Sequence, residues 1–450
     1  MGLPCGSARH HGDFVPSSAL VRRLCAIVRC GTLVDHENAS SISRQRGRVV
    51  IAGVIEGFYG TPWSHRDRLE CIDLLQRLEA NTYVWAGKSE PRHRDHWRDP
   101  FTDDELTKFA ELAAHRSGVG LVVGLTPGSD ATLDEVLAKL RPALDTGARG
   151  VALLFDDLPV LDAAARHRAF ANDVEQSLSC PMWLTPTHYA GSESSPYLDQ
   201  LMTGLSSSIE VMWTGEHVVC DRIDAEHARA RTEACGGRRP LLWDNTPVND
   251  ALMSEALHLG PYSGRSDELR SMITGVLINP MMFARASMPT VASAMAWCRG
   301  DDALATWNDM IDSRGWRLLA EATAFPDDPH WPGARPDRDW WDAVANMTVL
   351  DIDDGCSTWV DAAREGARLA VTAIDLMERP PSDAQHRVMG TIGLAMAWRA
   401  WHRTPVLTFG GGPRLRPVLT NDRSGRFSYD GRSVSYSTSL VDDLVQRATR

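Results

Sequence analysis

The sequence predicts an α/β chain, a (β/α)8 TIM barrel followed by a helical-bundle domain, and three observations carry that prediction. Eight apolar, β-rich runs recur between residues 49 and 289, at gaps of roughly thirty residues, the size of a strand plus its crossover helix. Every run ends in polar or glycine-rich residues, which a parallel barrel gathers at one mouth. After about Ser287 the runs give way to segments with apolar residues at helical spacing.

The predicted strands are Val50–Ile55, Thr82–Ala86, Leu121–Leu125, Val151–Phe155, Met182–Leu184, Ile209–Trp213, Leu241–Trp243 and Val276–Ile278. Helical patterns stand between them, as in Arg66–Leu78, where Leu69, Ile72, Leu75 and Leu78 share a face, and in Asp103–Ala114. Past each strand come Glu56-Gly57-Phe58-Tyr59-Gly60, Gly87-Lys88, Thr126-Pro127-Gly128, Asp156-Asp157, Thr185-Pro186-Thr187-His188-Tyr189, Thr214-Gly215, Asp244-Asn245 and Asn279-Pro280. Loop chemistry explains two or three such endings. It does not explain a lysine, several acids, two asparagines and a tyrosine all at one end.

Four segments follow. Residues 1–48 lack sustained periodicity and read as a poorly ordered leader with a short helix near Ser18–Ile27. Residues 49–289 form the barrel. Residues 290–403 form a stalk-like bundle from Val291–Trp297, Leu304–Ala322, Trp340–Val349, Thr358–Met377 and Ala384–Trp401, with a loop at Phe325–Pro336. Residues 404–450 are a Gly/Pro-rich extension, in which Phe427–Tyr429 and Val434–Tyr436 suit a hairpin around Asp430-Gly431.

Composition narrows the function. A net charge of -12 leaves no basic footprint for nucleic acid. No apolar run reaches the length of a membrane span, and arginines interrupt Leu20–Val34, so no signal peptide is expected. The nine cysteines are scattered and never spaced as a zinc motif, which suits reduced thiols in the cytoplasm. Fifteen tryptophans against seven tyrosines include candidates for stacking on sugar rings, beside many that only pack the core.

Asp156-Asp157 is the centre of the chemistry. Two acids at the end of a buried strand serve no packing purpose. Neighbouring carboxylates in one cleft repel, so one tends to hold a proton while the other ionises. That division supplies a general acid and an anionic stabiliser. Adjacent strand residues face opposite ways, so both reach the mouth only if the chain is already leaving strand geometry. The pair also suits a divalent cation, but Lys88, Tyr189, Asn245 and Asn279 do not complete a ligand set. No cofactor is called for. Lys88 reads as a donor to a hydroxyl or phosphate, or as a solvated surface lysine. Trp243 reads as an apolar wall for a sugar ring, or as core. Asp250 reads as an acceptor of two hydroxyl protons, or as the N-cap of the turn from Ala251.

A resemblance adds to this. Gly57-Phe58-Tyr59-Gly60-Thr61-Pro62-Trp63, Arg66, Asn81-Thr82-Tyr83, Lys88, His93-Arg94 and Trp97-Arg98 are similar to the opening of glycoside hydrolase family 84. Pro127-Gly128, Phe155-Asp156-Asp157, Pro186-Thr187-His188-Tyr189, Trp213-Thr214-Gly215, Trp243-Asp244-Asn245, Asn249-Asp250 and Asn279-Pro280 continue it in order. This is the family of bacterial β-N-acetylglucosaminidases and the eukaryotic O-GlcNAcase. The resemblance implies substrate-assisted retaining hydrolysis, in which the sugar's 2-acetamido oxygen is the nucleophile and an oxazoline forms. By position, Asp156 would orient the acetamide and Asp157 would act as general acid and base. Tyr189 and Trp243 would border the acetamide. Gly57, Lys88, Asn245, Asp250 and Asn279 would hold the sugar hydroxyls, Asp250 those at positions 4 and 6.

The implied partner is an N-acetylglucosamine-bearing glycan or glycoprotein, with neither nucleic acid nor membrane, and relatives suggest a homodimer. Alternatives are another N-acetylated sugar, an internal glycan bond as in hyaluronidase-like action, or a non-catalytic sugar-binding barrel. The chain departs from the family at Gly87-Lys88-Ser89-Glu90, where Pro-Lys-Asp-Asp is usual, so the loop after the second strand is expected to differ.

Overall fold

The computed structural model describes residues 51–156, 163–324, 336–410, 412–415, 419–421, 427–429, 434–437 and 439–450, all within the compact unit Arg46–Arg450. The expected leader, the Phe325–Pro336 loop up to residue 335, and Asp157 lie outside the described residues.

Eight parallel strands close into a barrel in sequence order. They are β1 (Ile51–Ile55), β2 (Thr82–Trp85), β3 (Gly120–Leu125), β4 (Gly150–Leu154), β5 (Met182–Thr185), β6 (Ile209–Trp213), β7 (Leu241–Asp244) and β8 (Gly275–Ile278). Closure sets Ile51 opposite Gly275 and Val54 opposite Ile278. Helices α1 (His65–Arg77), α2 (Asp103–His115), α3 (Leu133–Asp145), α4 (Ala164–Leu178), α5 (Pro196–Met202) and α6 (Ala225–Ala234) cross over between successive strands. Four of them start on the same device. Ser64 with Asp67, Thr102 with Glu105, Thr132 with Glu135 and Asp224 with His227 form capping boxes that satisfy the first free amides. Between β7 and β8 the connection has only 3-10 turns, at Ala251–Met253 and Asp267–Ser271.

Strand alternation divides the barrel's side chains between two cores. Ile55, Val84, Ala86, Ala152, Leu154, Trp183, Met212, Trp243 and Leu277 fill the inside. Val54, Tyr83, Trp85, Val151, Leu153, Phe155, Leu242 and Val276 face the helices. This inside–outside parity decides which residues beyond each strand enter the mouth.

The chain continues as α7 (Ala284–Arg299), α8 (Ala303–Arg314), α9 (Arg317–Thr323), α10 (Arg338–Ala345), α11 (Ser357–Glu378), α12 (Ala384–Trp401) and α13 (Leu440–Thr449). The single helix expected over Leu304–Ala322 is broken at Gly315. There φ is 68°, a left-handed helix end that favours glycine. Most of these helices share a core that includes Trp307, Trp316, Trp341, Trp359 and Trp401. Phe427–Tyr429 and Val434–Ser437 do not pair with each other as expected. The first pairs antiparallel with Leu419–Asn421 and the second with Gly412–Leu415. Asp430 and Gly431, the expected turn, lie outside the described residues.

Candidate functional site

The mouth is built by continuing the inner parity two residues past each inward-facing side chain. Ile55 leads to Gly57, Ala86 to Lys88, Leu154 to Asp156, Trp183 to Thr185, Met212 to Thr214, Trp243 to Asn245 and Leu277 to Asn279. All seven line one cavity of about 730 Å³, joined by Trp243 and by loop residues including Tyr59, Tyr189, Val218, Val219, Asp250 and Met253. Eight of the nine residues singled out by sequence thus meet in one place, and the ninth is Asp157.

Residues of the other parity are tied into the wall. Glu56 points outward and is fully buried. Arg68 grips it through Nε at 2.8 Å and Nη2 at 3.0 Å, and the Tyr83 hydroxyl also donates to it. Burial raises the Glu56 carboxyl above its ordinary pKa even with Arg68 beside it. Asp244, counted by sequence among the polar residues at the mouth, is likewise turned away. It accepts two bonds from Arg265 (2.8 and 2.6 Å) and one from the Tyr262 hydroxyl (2.7 Å). Burial opposes the Arg265 charge, yet Asp244 outweighs it and holds the guanidinium above its ordinary pKa.

Lys88 is no surface lysine. It is 5% exposed, like Asp156, and the two form a buried ion pair between the ends of β2 and β4. The Lys88 ammonium also stands 5.5 Å from the centre of the Trp243 ring. β4 ends at Leu154, one residue earlier than the pattern suggested, so Asp156 has already left the strand.

A closed ring of contacts fixes the opposite wall. The Gly57 amide donates to Asn279 Oδ1 (3.0 Å), and Asn279 Nδ2 donates to Asn245 Oδ1 (2.8 Å). The same Asn245 oxygen accepts from Trp243 Nε1 (2.9 Å), and Asn245 Nδ2 donates to the Val218 carbonyl (2.6 Å). The indole then lies directly on Gly57, where an added Cβ would sit 2.0 Å from its Cζ2. Only glycine lets the ring pack there. Asp250 stands at the N-cap position of Ala251–Met253 but makes no side-chain cap. Its Oδ2 instead accepts from the Tyr59 amide at 2.7 Å. Tyr189 is buried on the β5 loop, whose carbonyls at His188 and Gly191 are held by the buried Arg231.

Chemically, the cavity offers an anion paired with an ammonium, hydrogen-bonding side chains converging from several strands, and an indole wall. That is the composition of a site for a neutral, hydroxyl-rich ligand. Sequence reasoning placed Tyr59, Thr185 and Thr214 at the mouth without giving them a role, and it passed over Val218, Val219 and Met253. The two threonines carried a signal, since each stands two residues beyond an inward-facing one. The others come from loops without a period. Among the described residues, no cluster of His, Cys, Asp and Glu could hold a metal ion, no helix is long and apolar enough to cross a membrane, and six cysteines are free thiols.

A family profile described as beta-N-acetylglucosaminidase matches residues 52–321. The proteins of Rattus norvegicus and Mus musculus named Protein O-GlcNAcase are each 33% identical over 280 residues, covering 56% of this chain and 30% of theirs. The chain therefore spans under a third of the length of those relatives. Among solved structures, CpGH84B superposes with a TM-score of 0.72 at 20% identity, covering 89% of this chain and 77% of that one. A mutant of the Thermobaculum terrenum O-GlcNAc hydrolase gives the same score and identity, with 89% and 95% covered. At that identity, both likenesses speak to the fold.

Proposed function

Because the chain belongs to the beta-N-acetylglucosaminidase family, glycoside hydrolase family 84, we propose that it is a retaining hydrolase of terminal β-linked N-acetylglucosamine. It works by substrate-assisted catalysis, and the barrel, residues 49–289, is the catalytic unit. The observation that carries this reading is the single cavity in which a buried Lys88–Asp156 pair faces the Gly57–Trp243 wall.

In this reading the sugar's acetamide oxygen attacks the anomeric carbon as the glycosidic bond breaks, giving an oxazoline. Asp156, kept in place by Lys88, accepts the acetamide N–H and stabilises positive charge as the ring closes. Asp157, next in the chain, gives a proton to the leaving oxygen. It then takes one from the water that opens the oxazoline. Tyr189 and Trp243 border the acetamide. Lys88, Asn245, Asp250 and Asn279 hold the hydroxyls, and Gly57 leaves room for the indole.

The test is release of nitrophenol from 4-nitrophenyl N-acetyl-β-glucosaminide and from the matching β-glucoside. Wild type should cleave only the first. Asp156→Ala and Asp157→Ala should each lose about a hundredfold or more, the usual scale for a positioned acid–base group. Equal cleavage of the glucoside, which has no internal nucleophile, would refute the mechanism.

A further inference from the structure

Lys88 reaches Asp156 on a flexible four-carbon stem, so the position of its ammonium depends on how firmly its backbone is held. The turn that carries it is pinned on three sides. The Glu90 carboxylate accepts from Arg68 Nη2 at 2.6 Å, and Arg68 is already anchored on the buried Glu56. The Ser89 hydroxyl accepts from the Gly60 amide at 3.2 Å. His93 Nδ1 donates to the Gly124 carbonyl in β3 at 3.0 Å. Within the turn, the Glu90 amide bonds the Gly87 carbonyl and the His93 amide bonds the Glu90 carbonyl, both at 3.0 Å. Gly87, Ser89 and Glu90 are the residues at which this loop departs from the Pro-Lys-Asp-Asp pattern.

We propose that Glu90 is a positioning residue for Lys88. Its carboxylate, clamped by Arg68 to the barrel wall, fixes where the Lys88 ammonium stands against Asp156. Glu90 is not among the residues that line the cavity. It acts by tying a mobile-stemmed cation to an ion cluster on the other side of the wall. The proposal rests on the hydrolase reading for its kinetic consequence and on geometry alone for its structural one. The competing account is that Glu90 only balances the buried Arg68 charge.

Two readouts separate these accounts. One is kcat/KM on 4-nitrophenyl N-acetyl-β-glucosaminide, well below the melting temperature. The other is the rate at which formaldehyde and cyanoborohydride methylate Lys88, resolved by mass spectrometry. Glu90→Ala should methylate Lys88 several-fold faster and lose about tenfold or more in kcat/KM, since misplacement of about 1 Å can cost a hundredfold. Glu90→Gln keeps the reach and an acceptor oxygen, and should restore both quantities to within about threefold of wild type. Trp316→Phe loses the indole bond to the Leu350 carbonyl in the helical region. It should lower the melting temperature and leave both readouts unchanged. Wild-type values of either readout in Glu90→Ala would overturn the proposal. If wild type cleaves neither glycoside, the hydrolase reading fails, and Lys88 methylation alone decides the role of Glu90.

Discussion

Gly57→Ala is the sharpest test of how the cavity is shaped. The new methyl would lie 2.0 Å from Trp243 Cζ2, whereas carbon atoms rest at about 3.5–4.0 Å. The indole must therefore retreat by about 1.5–2 Å, or the β1 loop must move. Overpacking of this kind costs about 1–3 kcal/mol. The retreat also strains the Trp243–Asn245 bond, worth about 1 kcal/mol net. Because Asn245, Asn279 and Gly57 close a ring with the indole, the shift reaches both asparagines proposed to hold the sugar. The expected result is a loss of roughly 2–4 kcal/mol in stability and about a hundredfold in kcat/KM. Thermal unfolding and steady-state hydrolysis of the nitrophenyl N-acetyl substrate measure the two. A variant with wild-type melting temperature and wild-type kinetics would refute the contact on which the argument stands.

Two further outcomes follow from buried charge. Lys88→Met strands the Asp156 carboxylate and should destabilise the fold by about 3–5 kcal/mol, while Lys88→Met with Asp156→Asn should recover much of that loss; a melting temperature as low in the double variant as in the single would contradict a buried pair. Burial and nearby cations hold the His93 pKa at about 3, below the ordinary value near 6.5. The unfolded chain therefore takes up a proton first as pH falls, and stability present above pH 6.5 is lost toward pH 3 at about 1.4 kcal/mol per unit. His93→Gln should flatten the decline in melting temperature between pH 6.5 and 5 relative to wild type, and an unchanged slope would count against a neutral buried imidazole.

The barrel was legible because its strands are buried on both faces and so read as continuous apolar runs. Lys88, Asn245 and Asn279 were legible because charge and amide groups at strand ends have no packing purpose. Parity separates them from their neighbours in a way composition does not. Asp244 and Asn245 look alike as strand-end polar residues, yet the first faces Arg265 outside the barrel and the second faces the cavity. The break at Gly315 was also visible in principle, since a glycine following Arg314 in a long apolar pattern is a common helix end. Val218, Val219 and Met253 had no such signal. Arg265 ties the loop after β6, which carries Val218 and Val219, to the end of β7 by bonding Asp244, Thr246 and the Cys220 carbonyl.

The inner parity also partitions the protein's freedom to vary. Positions 57, 88, 156, 185, 214, 245 and 279 are the last rung of seven ladders whose lower rungs fill the barrel. Exchanging a side chain at the last rung leaves the rungs beneath it packed, so ligand preference can drift without dismantling the scaffold. A one-residue insertion within a strand is a different event. It would swap the two faces, turning a wall residue such as Glu56 or Asp244 into the cavity and withdrawing its neighbour. Such a barrel tolerates substitution at its mouth far better than it tolerates a change of length below it.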